Sequence, residues 1–457
     1  MIAERTRGFV RDPRLPTWLM LAALLAAVPV LVHMQRDSVP YWDEWPFLLG
    51  RDGWSLHNLF ANYNGHLMAL TAIVLNLDRE IFFAGAQAPL SVVSIALQLT
   101  IVWLVFVWVR RRVDAWVALG LAVIVLFFGS GYELLVWSFN VGWLASIAAG
   151  LGALCLFELP RSARRDLGVS ALLLTSLAGS NVGLVFLAAI GIRAFEAAQR
   201  RRALSIVAAP AVLWAVWWLA ADRHAGGAPG YFPKAWPHFI LDEIAYAFGG
   251  PFGLLPSDAP DWGRALAVVA VIAALTALQR RGRLTAPLAA ICSMPLVFWV
   301  LTAVGRGGWA PASASRYTYT SFVLIALVFA ELARGWRIRT SALAVGLAAT
   351  WLLLLGANVS TLAAGAASER GGYELDKVHM TALLLAGEAV ARNTRVDTFD
   401  GSLGPADNYP LYRWMIDQGG RRFAYRPAQL AADPAERAKV DAVVKQLGQS
   451  VAQQPSK

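Results

Sequence analysis

Runs of about 17–25 apolar residues recur along the chain, each long enough to cross a hydrocarbon core about 30 Å thick. The first covers residues 16–34. Later ones cover 88–109, 113–128, 141–159, 203–221, 262–278, 287–304, 317–332 and 341–355. Two shorter runs, 167–178 and 182–194, form a tight hairpin broken at Gly179-Ser180-Asn181. The pattern predicts an all-α polytopic membrane protein with about eleven transmembrane helices. Residues 66–83 are also apolar in part, but the stretch is short and interrupted by Asp78-Arg79-Glu80. It reads as an amphipathic helix lying on the outer membrane surface.

Charge then orients the chain. Arg5, Arg7, Arg11 and Arg14 precede the first run, and Arg110-Arg111-Arg112 closes the second. Further basic clusters lie at Arg161, Arg164 and Arg165, at Arg200-Arg201-Arg202, at Arg280, Arg281 and Arg283, and at Arg334, Arg337 and Arg339. Threading the runs alternately puts every cluster on one side, as the positive-inside rule requires. The N-terminus is then cytoplasmic and, with an odd count, the C-terminus extracytoplasmic. The first run is not followed by a small-x-small cleavage site and reads as a retained anchor.

Domain organisation follows from the same threading. Residues 1–357 form a transmembrane module whose first outer loop is 35–87, and a second long outer stretch covers 222–261. Residues 358–447 form a small extracytoplasmic region with a helix-like run at 376–390. The polar, Gln-rich stretch 448–457 reads as a disordered tail.

Composition agrees. The chain is 57% hydrophobic and 15% charged, against about 25% charged residues in soluble domains. The net charge of +10 sits in the inter-span clusters, so it signals topology and not nucleic acid. Cys155 and Cys292 each fall inside an apolar run, which argues against a disulfide or a metal site there. The heavy use of Ala, Gly and Arg is that of a GC-rich bacterium, and so of a cell inner (plasma) membrane.

Polar residues of unusual placement gather on the outer side. The first outer loop carries Val39-Pro40-Tyr41-Trp42-Asp43-Glu44-Trp45-Pro46, two adjacent carboxylates framed by aromatics. A carboxylate held beside a partly dry aromatic wall suits a general base or a metal ligand. About twenty residues on stands Asn62-Tyr63-Asn64-Gly65-His66, where Gly65 permits a tight turn and His66 and Asn64 are candidates to bind phosphate or sugar. The outer loop at 305–319 carries Arg306 and Arg316 against the charge preference, with small residues and Tyr317 around them. A guanidinium fork matches phosphate geometry. Glu133, Asn140 and Asn181 are weaker signals on the same side.

This layout resembles the GT-C class of integral-membrane glycosyltransferases. The resemblance rests on Tyr41-Trp42-Asp43-Glu44-Trp45, on Asn64-Gly65-His66, and on Arg306 with Ser315-Arg316-Tyr317. It covers the architecture from about residue 15 to 457. It implies a polyprenyl-phosphate-linked sugar as donor, and a glycan, lipid or protein acceptor on the outer face, with membrane lipids as surroundings. The family's acidic residue maps onto Asp43, with Glu44 as rival, acting as general base or as ligand of a divalent cation such as Mg or Mn. Arg306 or Arg316 would face the lipid phosphate, with His66, Asn64, Tyr317 and Trp42 as further binding residues. A lipid-linked glycan polymerase or ligase, or a lipid-linked sugar transporter, would share much of this layout. A transporter favours internal repeats and charges at the membrane midplane, whereas here the unusual charges lie on the outer side.

Overall fold

The computed structural model describes residues 14–51, 53–83, 85–221, 232–253, 259–282, 284–394 and 408–452. Arg5, Arg7, Arg11, the glycine-rich run 226–230, Arg283 and residues 453–457 lie outside the described residues. Helix α1 (Leu15–Met34) leads into α2 (Glu44–Gly50), α3 (Leu56–Phe60), strands β1 (Asn62–Tyr63) and β2 (His66–Leu67), and α4 (Ala69–Ile81). There follow α5 (Gln87–Arg110), α6 (Ala115–Leu126), α7 (Tyr132–Val136), α8 (Val141–Phe157), α9 (Ala163–Gly179), α10 (Gly183–Ile192) and α11 (Arg200–Ala220). Next come α12 (Trp236–Gly249), α13 (Ala259–Arg281), α14 (Ala286–Arg306), α15 (Ser315–Leu332) and α16 (Ser341–Ala386). Helices α17 (Glu388–Arg392), α18 (Asn408–Asp417), α19 (Pro427–Ala432) and α20 (Pro434–Ala452) complete the chain.

All eleven apolar runs are helical. Among the described residues, seven helices are long and apolar enough to cross a membrane: α1, α5, α8 with its lead-in turn from Ser138, α11, α13, α14 and α16. The pair formed by α6 and the segment Gly129–Val136, bent by 45°, brings the number to as many as eight. The architecture is that of an all-α polytopic membrane protein. Local chemistry sets several boundaries. Asp114, Ser162 and Thr340 accept hydrogen bonds from the backbone N–H groups of Trp116, Arg165 and Leu343, capping α6, α9 and α16. Gly387, at φ 86°, stops α16 with a left-handed turn.

The stretch expected to lie on the surface forms α4, a separate helix. Ala69, Ala72, Leu75 and Asp78 face inward, while Leu77 and Ile81 are exposed. The outer stretch 222–261 contains an element that the sequence pattern did not separate out. Helix α12 packs across its neighbours: Phe239 meets the Tyr317 ring, Asp242 pairs with Arg264, and buried Glu243 accepts from Thr302 of α14.

The two ends of the bundle differ in chemistry. At one end the buried Arg112 guanidinium bonds to Glu158 and, at 2.6 Å, to Glu331, joining the ends of α5, α8 and α15. Arg334 pairs with the same Glu331, and Arg281 donates to the carbonyl oxygens of Glu331 and Leu332. Arg316 stands at the opposite end of α15, with the first-loop elements around it. A second hydrophobic core joins that first loop to the chain's last elements. It packs Val39, Trp45 and Leu48 with Tyr373, Leu383, Leu411, Trp414 and Met415. Trp45 also donates to Asp376 at 3.2 Å.

Helix α16 runs without a break through residue 357, where the membrane module was expected to end. Its 46 residues exceed the about twenty that suffice to span the hydrocarbon, and the C-terminal elements pack on its second half. The expected disordered tail begins inside α20, whose helix continues through residues 448–452. The sequence there is polar, but Leu447 and Val440 are buried one and two turns earlier and hold the helix to the C-terminal core.

Candidate active site

The site begins with a backbone contortion. Trp42 has φ 46°, a left-handed conformation that L side chains rarely adopt and that costs on the order of 1 kcal/mol. The turn sends two adjacent carboxylates in different directions. Asp43 is partly exposed and accepts a hydrogen bond from the Tyr63 hydroxyl at 2.8 Å. Glu44 is fully buried and accepts from Gln87 and from the Trp137 indole, each at 2.9 Å. Burial pushes the Glu44 carboxyl up to about 8, which the two donors only partly offset. Burial thus favours the neutral form of Glu44, which packs in the core, and Asp43 alone of the pair reaches the cluster.

Tyr63 and His66 are paired residues of a minimal β-hairpin, in register with Asn62 and Leu67. Asn64 at φ 50° and Gly65 at φ 81° form its two-residue turn, a geometry that the sequence Asn-Gly favours strongly. Asn64 thus shapes the turn. The hairpin is held from both sides. Asn181 donates to the Gly65 carbonyl at 2.7 Å, and Arg51 donates to the Asn62 carbonyl at 2.7 Å while lying over the Phe47 and Tyr63 rings.

The hairpin places His66 against the end of α14. Arg306 Nη2 and His66 Nε2 lie 2.6 Å apart. Burial and the nearby charges of Arg306 and Arg316 hold the His66 pKa well below its usual value, so the ring is neutral. Nε2 then accepts from the guanidinium, and Nδ1 carries the proton, enclosed and without a protein partner among the described residues. Arg306 also lies over the Trp309 ring at 4.6 Å. No carboxylate among the described residues stands within ion-pair distance of it.

Arg316, the second residue of the next helix, pairs with Glu133 at 3.0 Å. Ser315 accepts from the Glu133 backbone N–H, tying α15 to α7. Tyr317 is 1% exposed and lies within electrostatic reach of both arginines, as does Asp43. The structure therefore gathers Asp43, His66, Arg306, Arg316 and Tyr317, from segments up to 274 residues apart. It leaves Glu44 in the core, Asn64 in a turn and Trp42 at 46% exposure.

Sequence reasoning missed two members. Tyr63 positions Asp43, and the signal was available, because Tyr63-Asn64-Gly65-His66 is a hairpin sequence whose flanking side chains share a face. Glu369, on α16, lies within electrostatic reach of Tyr41, Tyr132, Glu133 and Arg316. It sits in the Ala-rich stretch Ala366-Ala367-Ser368-Glu369, which carries no motif.

Asp43 and Glu44, the two carboxylates considered for a divalent cation, lie in different surroundings, one beside Tyr63 and the other against Gln87 and Trp137. Among the described residues no three His, Cys, Asp or Glu side chains come together as a metal site. The arrangement instead offers a carboxylate, a neutral imidazole and two guanidinium groups at the ends of membrane helices. It suits binding an anion beside a group that accepts a proton. Comparison with protein-family models, curated proteins and solved structures yields no significant match.

Proposed function

We propose that this chain is a GT-C-type glycosyltransferase of a bacterial inner membrane. It moves a sugar from a polyprenyl-phosphate donor to a glycan, lipid or protein acceptor on the outer face. Its topology in this reading has eleven spans, with the N-terminus cytoplasmic and the C-terminus extracytoplasmic. The observation that carries the reading is the pairing of opposite chemistry in one cluster. Arg306 is a part-buried cation that meets a neutral imidazole and, among the described residues, no carboxylate at ion-pair distance, and Asp43 stands within its electrostatic reach.

In the reaction the acceptor hydroxyl oxygen attacks the donor's anomeric carbon. The bond from that carbon to the phosphate oxygen breaks, and the lipid phosphate departs. Asp43 accepts the hydroxyl proton as the new bond forms. Tyr63 holds the carboxylate by its 2.8 Å hydrogen bond and fixes its direction. Arg306, oriented by His66, stabilises the charge growing on the leaving phosphate. Arg316 contributes less, because Glu133 already offsets its charge. The apolar helices keep the lipid tail in the membrane while its headgroup meets the cluster.

Direct binding tests the donor half of this reading. Purified protein should bind polyprenyl phosphate and discriminate against the matching polyprenol, which has the same tail and no charge. Equal binding of the two would remove the phosphate site and favour a nonspecific lipid contact.

A further inference from the structure

Glu369 belongs to the second half of α16, on which the C-terminal elements pack, yet it faces the Asp43 cluster. Glycines bring α16 into close contact there. A Cβ on Gly365 would fall 2.3 Å from the Tyr132 ring, and one on Gly372 would fall 2.7 Å from the Tyr41 ring. The helix backbone therefore lies flush on both rings. Glu369 comes four residues after Gly365 and three before Gly372, on the same helix face. Tyr373 follows one turn later and meets the Tyr41 ring edge-on at 5.4 Å. The result is a carboxylate framed by three tyrosines.

Two polar atoms in this frame are enclosed without a partner among the described residues, Glu369 Oε2 and the Tyr373 hydroxyl. Tyr373 is only 2% exposed. Buried polar atoms without partners are uncommon, and two on one helix turn ask for a shared explanation. One is an acceptor and the other can donate or accept. A single hydroxyl group satisfies both, giving its proton to Glu369 Oε2 and accepting from Tyr373. The backbone at Gly365 and Gly372 covers the Tyr132 and Tyr41 rings, so what the frame offers a ligand is these two polar atoms. An anion does not fit, because Glu133 stands close by and already pairs with Arg316, the cation within reach. An ammonium fits less well, because burial and the Glu133 charge push the Glu369 carboxyl up to about 7 and leave it partly neutral.

We propose that Glu369 and Tyr373 bind a hydroxyl group of a neutral sugar ring, the acceptor of the same site. This inference rests on the glycosyltransferase reading and adds an assignment to it. The membrane arginines hold the donor phosphate, and the outer half of α16 holds the acceptor. The C-terminal elements that pack on α16 then fix where the acceptor stands relative to Asp43.

The test uses the full-length protein and a panel of simple methyl glycosides, hexopyranosides and pentofuranosides, as acceptor surrogates. Saturation-transfer NMR should find saturable binding of at least one neutral glycoside. Glu369→Gln and Tyr373→Phe should each weaken it by roughly tenfold, the effect of one lost hydrogen bond to a polar or charged group. Polyprenyl phosphate should bind both variants as it binds the unmodified protein, which also shows that they fold. No binding by any glycoside, or binding by both variants as tight as by the unmodified protein, overturns the inference and leaves water as the partner of the two atoms. Sugar transfer that persists alongside such a result leaves the enzymatic reading standing. Glycoside binding without any transfer from a polyprenyl-phosphate sugar would sink that reading and keep the binding site.

Discussion

The Arg306 guanidinium meets the His66 imidazole at 2.6 Å, across 240 residues of chain. The contact joins the C-terminal end of an apolar helix to a hairpin with a two-residue turn, and it leaves the arginine's charge uncompensated by any carboxylate at ion-pair distance among the described residues. Arg316 differs, because Glu133 pairs with it at 3.0 Å. The two arginines should therefore contribute unequally to anion binding. Arg306→Ala should weaken polyprenyl phosphate binding by about tenfold or more, and by more than Arg316→Ala does. Calorimetric or fluorescence titration of both variants measures the difference. A larger loss from Arg316→Ala would assign the phosphate to the other guanidinium.

Glu44 should reveal itself in the pH dependence of stability. Its folded pKa of about 8 lies above the ordinary carboxylate value near 4.3. A raised acid favours the folded state while protonated. Its contribution is therefore full below the unfolded pKa and is lost as pH climbs towards about 8. Asp78, raised to about 7 by burial, acts in the same direction. Thermal unfolding in detergent should show a melting temperature that falls between pH 5 and pH 8. Glu44→Gln should make that slope shallower and leave transfer activity nearly intact. An unchanged slope would mean that the buried carboxyl is not neutral in the folded protein.

At the opposite end of the bundle, Arg112 joins Glu158 and Glu331, and both Arg112 and Glu331 are almost fully buried. Removing the cation leaves the buried Glu331 carboxylate with Arg334 as its remaining partner, and the lost charged hydrogen bond costs about 1.5–3 kcal/mol. Arg112→Ala should accordingly lower thermal stability markedly, while the surviving folded fraction keeps its affinity for polyprenyl phosphate. A selective loss of that affinity, with stability unchanged, would place this network in the substrate path.

Much of this architecture was legible in the sequence because membrane helices announce themselves by length and polarity. The runs at 16–34, 88–109 and 287–304 became α1, α5 and α14 with boundaries within a few residues. The hairpin break at Gly179-Ser180-Asn181 was equally plain, since a glycine and two small polar residues cannot continue an apolar helix. The choice between Asp43 and Glu44 was not legible. It turns on the left-handed backbone at Trp42, which no periodicity reports. The α12 helix escaped because it lies within a stretch rich in Gly and Pro, where its amphipathic face is short. Glu369 escaped because no motif surrounds it, and only packing of its helix against Tyr41 and Tyr132 brings it into the cluster.

Orientation in the membrane follows from the arginine asymmetry and has its own test. The account puts the N-terminus in the cytoplasm and the last residue outside. A reporter that is active only in the cytoplasm, fused after Lys457, should be inactive, and one that needs the outer compartment should be active. The reverse pattern would require an even number of spans.

The central claim is that Asp43 takes the acceptor proton during sugar transfer, and one rate measurement bears on it most directly. Asn keeps the size of Asp and can still accept from Tyr63, but it does not take a proton as a carboxylate does. Purified Asp43→Asn protein should bind polyprenyl phosphate normally. Its transfer of labelled sugar from a polyprenyl-phosphate donor, to acceptor supplied as an envelope extract, should fall by a factor on the order of 10²–10⁴ relative to the unmodified protein. Near-normal transfer by Asp43→Asn, with Glu44→Gln added to exclude its neighbour, would contradict the account.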